Sequence, residues 1–144
     1  MGTPYETDVL AWATEQVALL RAGKLSEIDI EHIAEEIEDV GKSEKRELKS
    51  RMVVLIAHLL KWQFQPERRG SSWQKTIKVQ RRDVKYCLKE APSLQGCFND
   101  PEWLAIVWDV AVVTTENETG LQNLPDKAIW SPELILSDDF YPDN

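Results

Sequence analysis

Hydrophobic residues recur along the chain at spacings of three and four, which is typical of amphipathic α-helices. The longest such series runs from residue 30 to residue 62 and has one polar gap, around Gly41. It comprises Ile30, Ile33, Ile37, Val40, Leu48, Met52, Leu55, Leu59 and Trp62. Because the series contains no proline, and one glycine costs only about 1 kcal/mol in a helix interior, we predict one long helix.

Helix-start and helix-stop signals divide the chain into four main helices and a tail. Capping residues followed by proline, or by an acidic or amide residue three positions later, occur at Thr3, Ser26, Ser71 and Asp100. Glycines at residues 23 and 120 follow the first and fourth apolar stretches, where a left-handed residue often ends a helix. The predicted helices cover about residues 4–22, 27–65, 72–90 and 101–119, and the tail covers 121–144.

These elements predict an all-α fold, a four-helix bundle-like single domain with a long central second helix. The Val-rich and Ile-rich stretch 106–113 also suits a buried strand, but the Pro101 start and the lack of a partner strand favour a helix. An irregular C-terminal tail follows, and we expect it to pack onto the bundle. The tail residues predicted to do so are Trp130, Leu134, Leu136 and Phe140.

The densest apolar run, residues 53–60, lies near the end of the predicted second helix. It is far shorter than the roughly 20 apolar residues that a membrane-spanning helix requires. We therefore predict a buried core helix and no association with a membrane. The run contains His58, one of the two histidines, so any chemistry is expected near it.

Length and cysteine content are consistent with a small intracellular protein. The 144 residues and 16.6 kDa suit one domain with a sizeable core. No basic leader precedes an apolar stretch at the N-terminus, so we expect no secretion signal and a cytoplasmic location. Cys87 and Cys97 do not form a Cys-x-x-Cys pair, and we expect both to be buried, reduced thiols.

The net charge of −8 conceals three blocks of alternating sign. Residues 1–40 hold 10 acidic and 2 basic residues, residues 41–90 hold 14 basic and 5 acidic, and residues 91–144 hold 10 acidic and 1 basic. Such a pattern indicates either a basic surface for an anionic partner or oppositely charged elements that face one another.

A metal site is one candidate for chemistry. His32 and Glu36 lie one helical turn apart, and Glu31, Glu35 and Glu38 add carboxylates. Metal-binding bundles use a Glu-x-x-His pair from each of two helices, whereas here the order is reversed and occurs once. On one continuous helix, Glu38 and His58 would be about 30 Å apart. A solvated acidic face and a hydrogen-bonded core histidine are the simpler interpretations, so a metal-dependent enzyme around these residues is the weakest hypothesis.

Other catalytic patterns have little support in the sequence. The chain contains no Gly-x-Ser-x-Gly sequence, no evident base beside either cysteine, and no glycine-rich loop that would hold a phosphate or a dinucleotide. We therefore predict no cofactor and no catalytic residue, and enzymatic activity is not favoured.

A stripe of basic residues is a candidate surface for nucleic acid or another polyanion. It follows one face of the predicted third helix and the residues before it. The stripe comprises Arg68, Arg69, Lys75, Lys78, Arg82, Lys85 and Lys89. The alternative is a solvated face paired with acidic neighbours, and the net charge of −8 opposes nonspecific binding to nucleic acid.

Several short segments together resemble a known bacterial family. They are residues 5–8 with Trp12, 35–38 with Gly41, 58–62, 65–69, 72–73, 80–82 and 92–94. The sequence is similar to domain-of-unknown-function family number 29, most specifically in the His-Leu-Leu-Lys-Trp and Gln-Pro-Glu-Arg-Arg segments. The resemblance covers about residues 5–142 and implies a small helical protein without an established activity. Many members have Cys-Pro before an aromatic residue near the end, where this chain has Ala128-Ile129-Trp130.

The resemblance also suggests a shared functional surface at the end of the second helix. This predicted family-motif surface comprises His58, Lys61, Trp62, Gln65, Glu67 and Trp73. The favoured function is a protein-interaction module that binds an unknown protein partner or forms a homo-oligomer. Binding of nucleic acid or another polyanion through the third helix is the alternative.

Overall fold

The computed structural model describes residues 2–143 and is helical without strands over that range. Its α-helices are α1 (Val9–Arg21), α2 (Ile30–Phe64), α3 (Ser71–Glu90), α4 (Pro101–Thr119) and α5 (Pro132–Ile135). Short 3-10 helices occur at Leu25–Glu27, Pro66–Arg68 and Pro92–Asn99. The predicted all-α class with a long second helix is confirmed, and the stretch 106–113 is helical.

The described residues divide into two compact units. One ends at Ser43 and the other begins at Glu44, so the boundary lies within α2. The N-terminal unit contains α1 and the first part of α2, and the C-terminal unit contains the rest of α2 with α3, α4 and α5. The assignment of the whole chain to one domain stays a prediction.

The long helix α2 continues through the polar gap, as the spacing predicted. It has 35 residues and includes Gly41 without interruption. A Cβ at Gly41 would have no atom within 4 Å. No close contact therefore requires glycine at this position.

The start of α1 differs from the prediction. The helix begins at Val9 instead of near Pro4, and the carboxylate of Asp8 caps it by accepting from the backbone N–H of Ala11 at 3.1 Å. Thr3 does not cap α1, because residues 5–7 form a turn before the helix begins, and its backbone N–H and hydroxyl donate to Glu15, at 2.7 and 2.8 Å. Gly23 has a φ of 73°, so the predicted left-handed residue after α1 is confirmed.

The predicted caps of α2 and α3 are also corrected. Ser26 lies in a 3-10 helix, and Asp29 accepts from the backbone N–H of His32 at 3.3 Å at the actual start of α2. At α3 the capping residue is Gly70, and no side chain bonds to the first turn. The Ser71-x-x-Gln74 pattern therefore does not act as a capping box.

The core of the C-terminal unit forms around the second half of the apolar series of α2. Leu48, Met52, Leu55 and Leu59 are fully buried there, so the predicted core helix is confirmed. Helices α3 and α4 complete this core with Ile77, Val84, Val107, Trp108 and Ala111. Cys87 and Cys97 are free and buried, as expected.

The first half of the α2 apolar series is largely exposed. Ile30 and Ile37 each keep 67% of their surface accessible, and Val40 keeps 64%. The three-and-four spacing identified the correct face of α2, but it did not show that only the second half of this face is covered.

The C-terminal tail packs against the core of its unit. Ser131 caps α5 by accepting from the backbone N–H of Leu134 at 3.1 Å. Trp130, Leu136 and Phe140 pack against the core, as predicted. Leu134 is exposed instead, and the neighbouring Ile135 is buried.

Candidate functional sites

Three residues of the predicted family-motif surface line one polar cleft of the C-terminal unit. The cleft has a volume of about 290 Å³ and lies where the end of α2 meets the start of α3 and the end of α4. We call it the Lys61 cleft, lined by Lys61, Gln65, Arg68, Trp73, Glu118 and Thr119. The proximity of Lys61 and Gln65 to Trp73 follows the prediction. Glu118 and Thr119 were not predicted, because nothing in the sequence indicates where α4 ends relative to α2.

Lys61 is the most enclosed charged group of this cleft. The residue is 9% exposed, and its Nζ donates to the carboxylate of Glu118 at 2.8 Å. This ion pair neutralises the charge that burial would otherwise penalise. Besides Lys61, the polar side chains that line the cleft include Gln65, Arg68, Glu118 and Thr119.

The remaining members of the predicted surface lie in other contacts. Trp62 packs against Tyr141, with 4.9 Å between ring centroids, and Arg69 lies over its ring at 5.3 Å. Glu67 is exposed on a 3-10 helix. Three of the six predicted residues therefore line the Lys61 cleft, and the shared functional surface stays a prediction.

His58 is half-buried and bonds to its own helix. Its Nδ1 lies 2.9 Å from the carbonyl oxygen of Val54, so this nitrogen is the donor and carries hydrogen. Burial lowers the pKa of His58, and the nearby Lys61 lowers it further. The imidazole is therefore stabilised in its neutral form.

The structure gives no geometry for the predicted metal-dependent alternative. Within residues 2–143, no group of three or more His, Cys, Asp or Glu side chains is placed to hold a metal ion. Glu36 instead accepts a hydrogen bond from the hydroxyl of Tyr5. This bond raises the pKa of Tyr5 to about 12.

His32 belongs to a network of aromatic and acidic groups in the N-terminal unit. Its Nδ1 lies 2.7 Å from the carboxylate of Asp29, and its Nε2 lies 3.2 Å from that of Glu6. Tyr5 stacks on the imidazole with 4.2 Å between ring centroids, and the indole of Trp12 donates to Asp29 at 2.9 Å. The hydrogen bond to Asp29 raises the pKa of His32. The sequence contains these residues but does not indicate their proximity, because residues 5–12 are distant from Asp29 and His32 along the chain.

The predicted basic stripe is divided between different surroundings. Arg68 lines the Lys61 cleft, and Arg69 donates to the carbonyl of Trp62 at 2.6 Å. Lys75 and Lys89 are exposed on α3. The other three residues of the stripe, Lys78, Arg82 and Lys85, line a second cleft of about 440 Å³.

This second cleft lies between α3 and the tail of the C-terminal unit. We call it the Asp138 cleft, lined by Lys78, Val79, Arg81, Arg82, Lys85, Asp138 and Tyr141. Asp138 is the acidic residue among them, and Nζ of Lys85 donates to its carboxylate at 2.8 Å. This hydrogen bond, with the charges of Lys85, Arg81 and Lys78, lowers the pKa of Asp138.

Arg81 fixes the tail beside this cleft. It is 1% exposed, and its guanidinium donates to the carbonyl oxygens of Ile135, Asp138 and Phe140 at 2.9, 3.3 and 2.6 Å. Its charge lies 5.4 Å from the ring centroid of Tyr141. The sequence analysis did not select Arg81 as functional, since buried arginines are rare and nothing nearby in the sequence indicates its partners.

The exposed side of α1 is unusually apolar. Leu10 is 76% exposed, Val9 50%, Val17 44% and Leu20 42%. At about 100° per residue these four side chains share one face of the helix with Ala13. Trp12 and Gln16 are buried next to this face, on the side of Val9.

The fold and these surfaces define a small all-α protein with a polar cleft, a basic cleft and an exposed apolar helix. The chain matches the family described as Domain of unknown function DUF29 over residues 4–141, and it belongs to this family. Neither the curated proteins nor the solved structures include a match to it. Among residues 2–143, no helix combines the length and the apolar character needed to cross a membrane.

Proposed function

We propose that the protein is an interaction module that self-associates through the exposed apolar face of α1. The observation that supports this proposal is the exposure of Val9, Leu10, Val17 and Leu20 on one side of a single helix. Contiguous apolar surface of this kind is typical of sites that another protein covers.

A second copy of the chain suits the α1 face because the face is almost free of charge. The helix contains only Glu15 and Arg21 as charged residues, and Glu15 already accepts two hydrogen bonds from Thr3. Two copies can therefore meet without burying like charges. The exposed apolar residues of α2 differ, since they alternate with Glu31, Glu35 and Glu38.

The ends of α1 favour an antiparallel arrangement of the two copies. Asp8 precedes the first turn and Arg21 lies in the last turn. An antiparallel pair places the end of α1 that carries Asp8 beside the end that carries Arg21 in the other copy, whereas a parallel pair would place like-charged ends together. Opposed helix dipoles favour the same arrangement.

The size of the face predicts a weak dimer. With 13 residues, α1 is about 20 Å long. One helix face of this length provides less than the roughly 800 Å² per partner found in standard interfaces. We therefore expect reversible association that depends on protein concentration.

Sedimentation velocity over a range of concentrations tests the proposal. The mass should rise from 16.6 kDa toward that of a dimer. Leu10→Glu combined with Val17→Glu should abolish this rise, because the new carboxylates would face one another across the contact. Ala18→Glu is the matched control, since Ala18 is exposed on α1 outside the apolar face.

Circular dichroism confirms that both variants keep their helices. A wild-type protein that stays monomeric at every concentration would contradict the proposal. So would a double variant that dimerises as the wild type does. If a different protein covers the face instead, the chain alone would remain monomeric.

A cytoplasmic location is part of this proposal. Cys87 and Cys97 are free and buried in the C-terminal unit. Proteins of reducing compartments keep such thiols, whereas small secreted proteins tend to pair them in disulfides.

A further inference from the structure

We propose that the Asp138 cleft binds a phosphate group, and that the carboxylate of Asp138 occupies the position of this phosphate when the ligand is absent. The proposal is independent of self-association through α1. It concerns the site formed by Lys78, Arg82 and Lys85 above the buried Arg81.

The cleft concentrates positive charge in a concave site. Lys78, Arg82 and Lys85 are exposed at its rim, and each is about one turn of α3 from the next. The buried Arg81 adds a charge at the inner side of the cleft, and its bonds to three carbonyl oxygens fix its position. Clustered cations in a cleft focus the electrostatic field on an anion more strongly than the same charges on a convex surface.

The acidic groups near the cleft do not cancel this charge. Among the described residues that line it, the acid is Asp138, and Asp139 acts on Arg81 from the neighbouring position. Arg82 also contacts Asp83, at 3.3 Å, and Asp83 is shared with Arg51 at 3.0 Å. A phosphate dianion would interact with the cations more strongly than the single charge of Asp138 does.

Asp138 is placed to be displaced by such a ligand. Its carboxylate bonds to Lys85 at 2.8 Å, yet its side chain is 76% exposed and that of Lys85 is 47% exposed. Exposed ion pairs of this kind contribute little to stability because water screens them. A stronger anion can therefore bind Lys85 in place of Asp138 with little loss of stability, while the backbone of the tail stays bonded to Arg81.

The ligand chemistry that fits the site is a phosphate carried by a small molecule or present as a free ion. The lining provides ammonium and guanidinium donors, which suit phosphate oxygens. The ring of Tyr141 lines the cleft, but it is already in contact with Trp62 and Arg81. We therefore assign recognition to the phosphate itself and not to stacking of a base.

Calorimetric titration with inorganic pyrophosphate, at constant ionic strength, tests the proposal on the full chain. We expect saturable binding to the wild type. Lys78→Met and Lys85→Met should each weaken it severalfold, and Asp138→Asn should strengthen it severalfold by removing the internal competitor. Lys75→Met is the matched control, because Lys75 is exposed on α3 but does not line the cleft.

The outcomes separate a built site from diffuse attraction. Equal losses for Lys75→Met and Lys78→Met would show attraction to the whole basic helix and overturn the proposal. Unchanged affinity in Asp138→Asn would overturn the competition by Asp138. A parallel titration with AMP distinguishes a phosphate carried by a nucleoside from a free ion. If AMP binds at this site, its affinities for the variants should fall in the same order as those of pyrophosphate. Unchanged circular dichroism of each variant confirms that it is folded.

Discussion

The two histidines have opposite relations to their surroundings. His32 contacts two carboxylates, and its bond to Asp29 raises its pKa. His58 is half-buried and donates to a backbone carbonyl, and burial lowers its pKa. One fold therefore stabilises a charged imidazole in the N-terminal unit and a neutral one in the C-terminal unit.

These shifts predict opposite effects of pH on stability. The contribution of His32 to the free energy of unfolding is complete below the pKa of histidine in the unfolded chain, about 6.5. It is lost as pH rises through the higher pKa of His32 in the folded protein. The contribution of His58 is complete above about 6.5 and is lost as pH falls through its lower folded pKa. NMR titration of the two imidazoles checks the directions.

Single variants separate the two effects in urea unfolding followed at several pH values. His32→Gln should remove the loss of stability that occurs as pH rises above about 6.5. His58→Gln should remove the loss that occurs as pH falls below this value. Identical pH profiles for both variants would contradict this assignment.

Arg81 is the residue on which the tail most depends. We expect Arg81→Met to lower the free energy of unfolding by on the order of 3 kcal/mol, because three carbonyl oxygens would lose a charged donor. The neighbouring Arg82→Met is the control. The side chain of Arg82 is 73% exposed, so its loss should change stability by less than about 0.5 kcal/mol. Equal urea midpoints for the two variants would argue against anchoring by Arg81.

At the scale of single elements, the polar gap in α2 provides a test of helix continuity. We expect Gly41→Ala to stabilise the protein by about 0.5–1 kcal/mol, because alanine costs less backbone entropy in a helix and has free space here. Gly23→Ala should destabilise it by about 1 kcal/mol, since Gly23 has a φ of 73°. Thermal unfolding measures both changes, and a destabilising Gly41→Ala would indicate that α2 bends at this point.

The elements could be predicted largely from the sequence, and their starts only in part. Pro101 after Asp100 identified the start of α4, because both signals act locally. Thr3 misled the prediction for α1, because residues 5–7 form a turn and the helix begins only after Asp8. Local patterns identify residues that can cap a helix, but they do not decide which of two nearby candidates begins it.

The candidate sites were less predictable than the helices. Periodicity located Lys61 and Gln65 on one helix and Lys78 and Lys85 on another, but it gave no information on Glu118 or on the tail. The clefts form where these segments meet. Such contacts depend on packing between residues distant in sequence, which spacing along the chain does not show.

At the scale of the whole molecule, the alternating charge blocks are partly explained by contacts in the C-terminal unit. Lys61 pairs with Glu118, and Lys85 pairs with Asp138, in each case joining the basic block to the acidic end of the chain. The sequence had two interpretations, and for these residues the second one holds: oppositely charged elements of the fold face one another. The binding of an anion remains a proposal for the charges that line the Asp138 cleft.

The division into two units predicts that residues 44–144 fold alone. The hydrophobic core cluster extends from Leu48 to Tyr141 and lies entirely within this segment. We expect the fragment to show helical circular dichroism and one cooperative urea transition. The fragment 48–144, which lacks the first turn, should behave similarly. An unfolded 44–144 fragment would show instead that the chain is one cooperative domain.

The positions of the two thiols have a practical consequence for measuring local opening. Both Cys87 and Cys97 are 8% exposed and belong to the C-terminal unit, and burial raises the pKa of Cys87. A thiol-modifying reagent would therefore react more slowly with the folded unit than with the opened one. The rate of thiol modification thus reports on opening of the C-terminal unit, and the measurement requires no engineered cysteine.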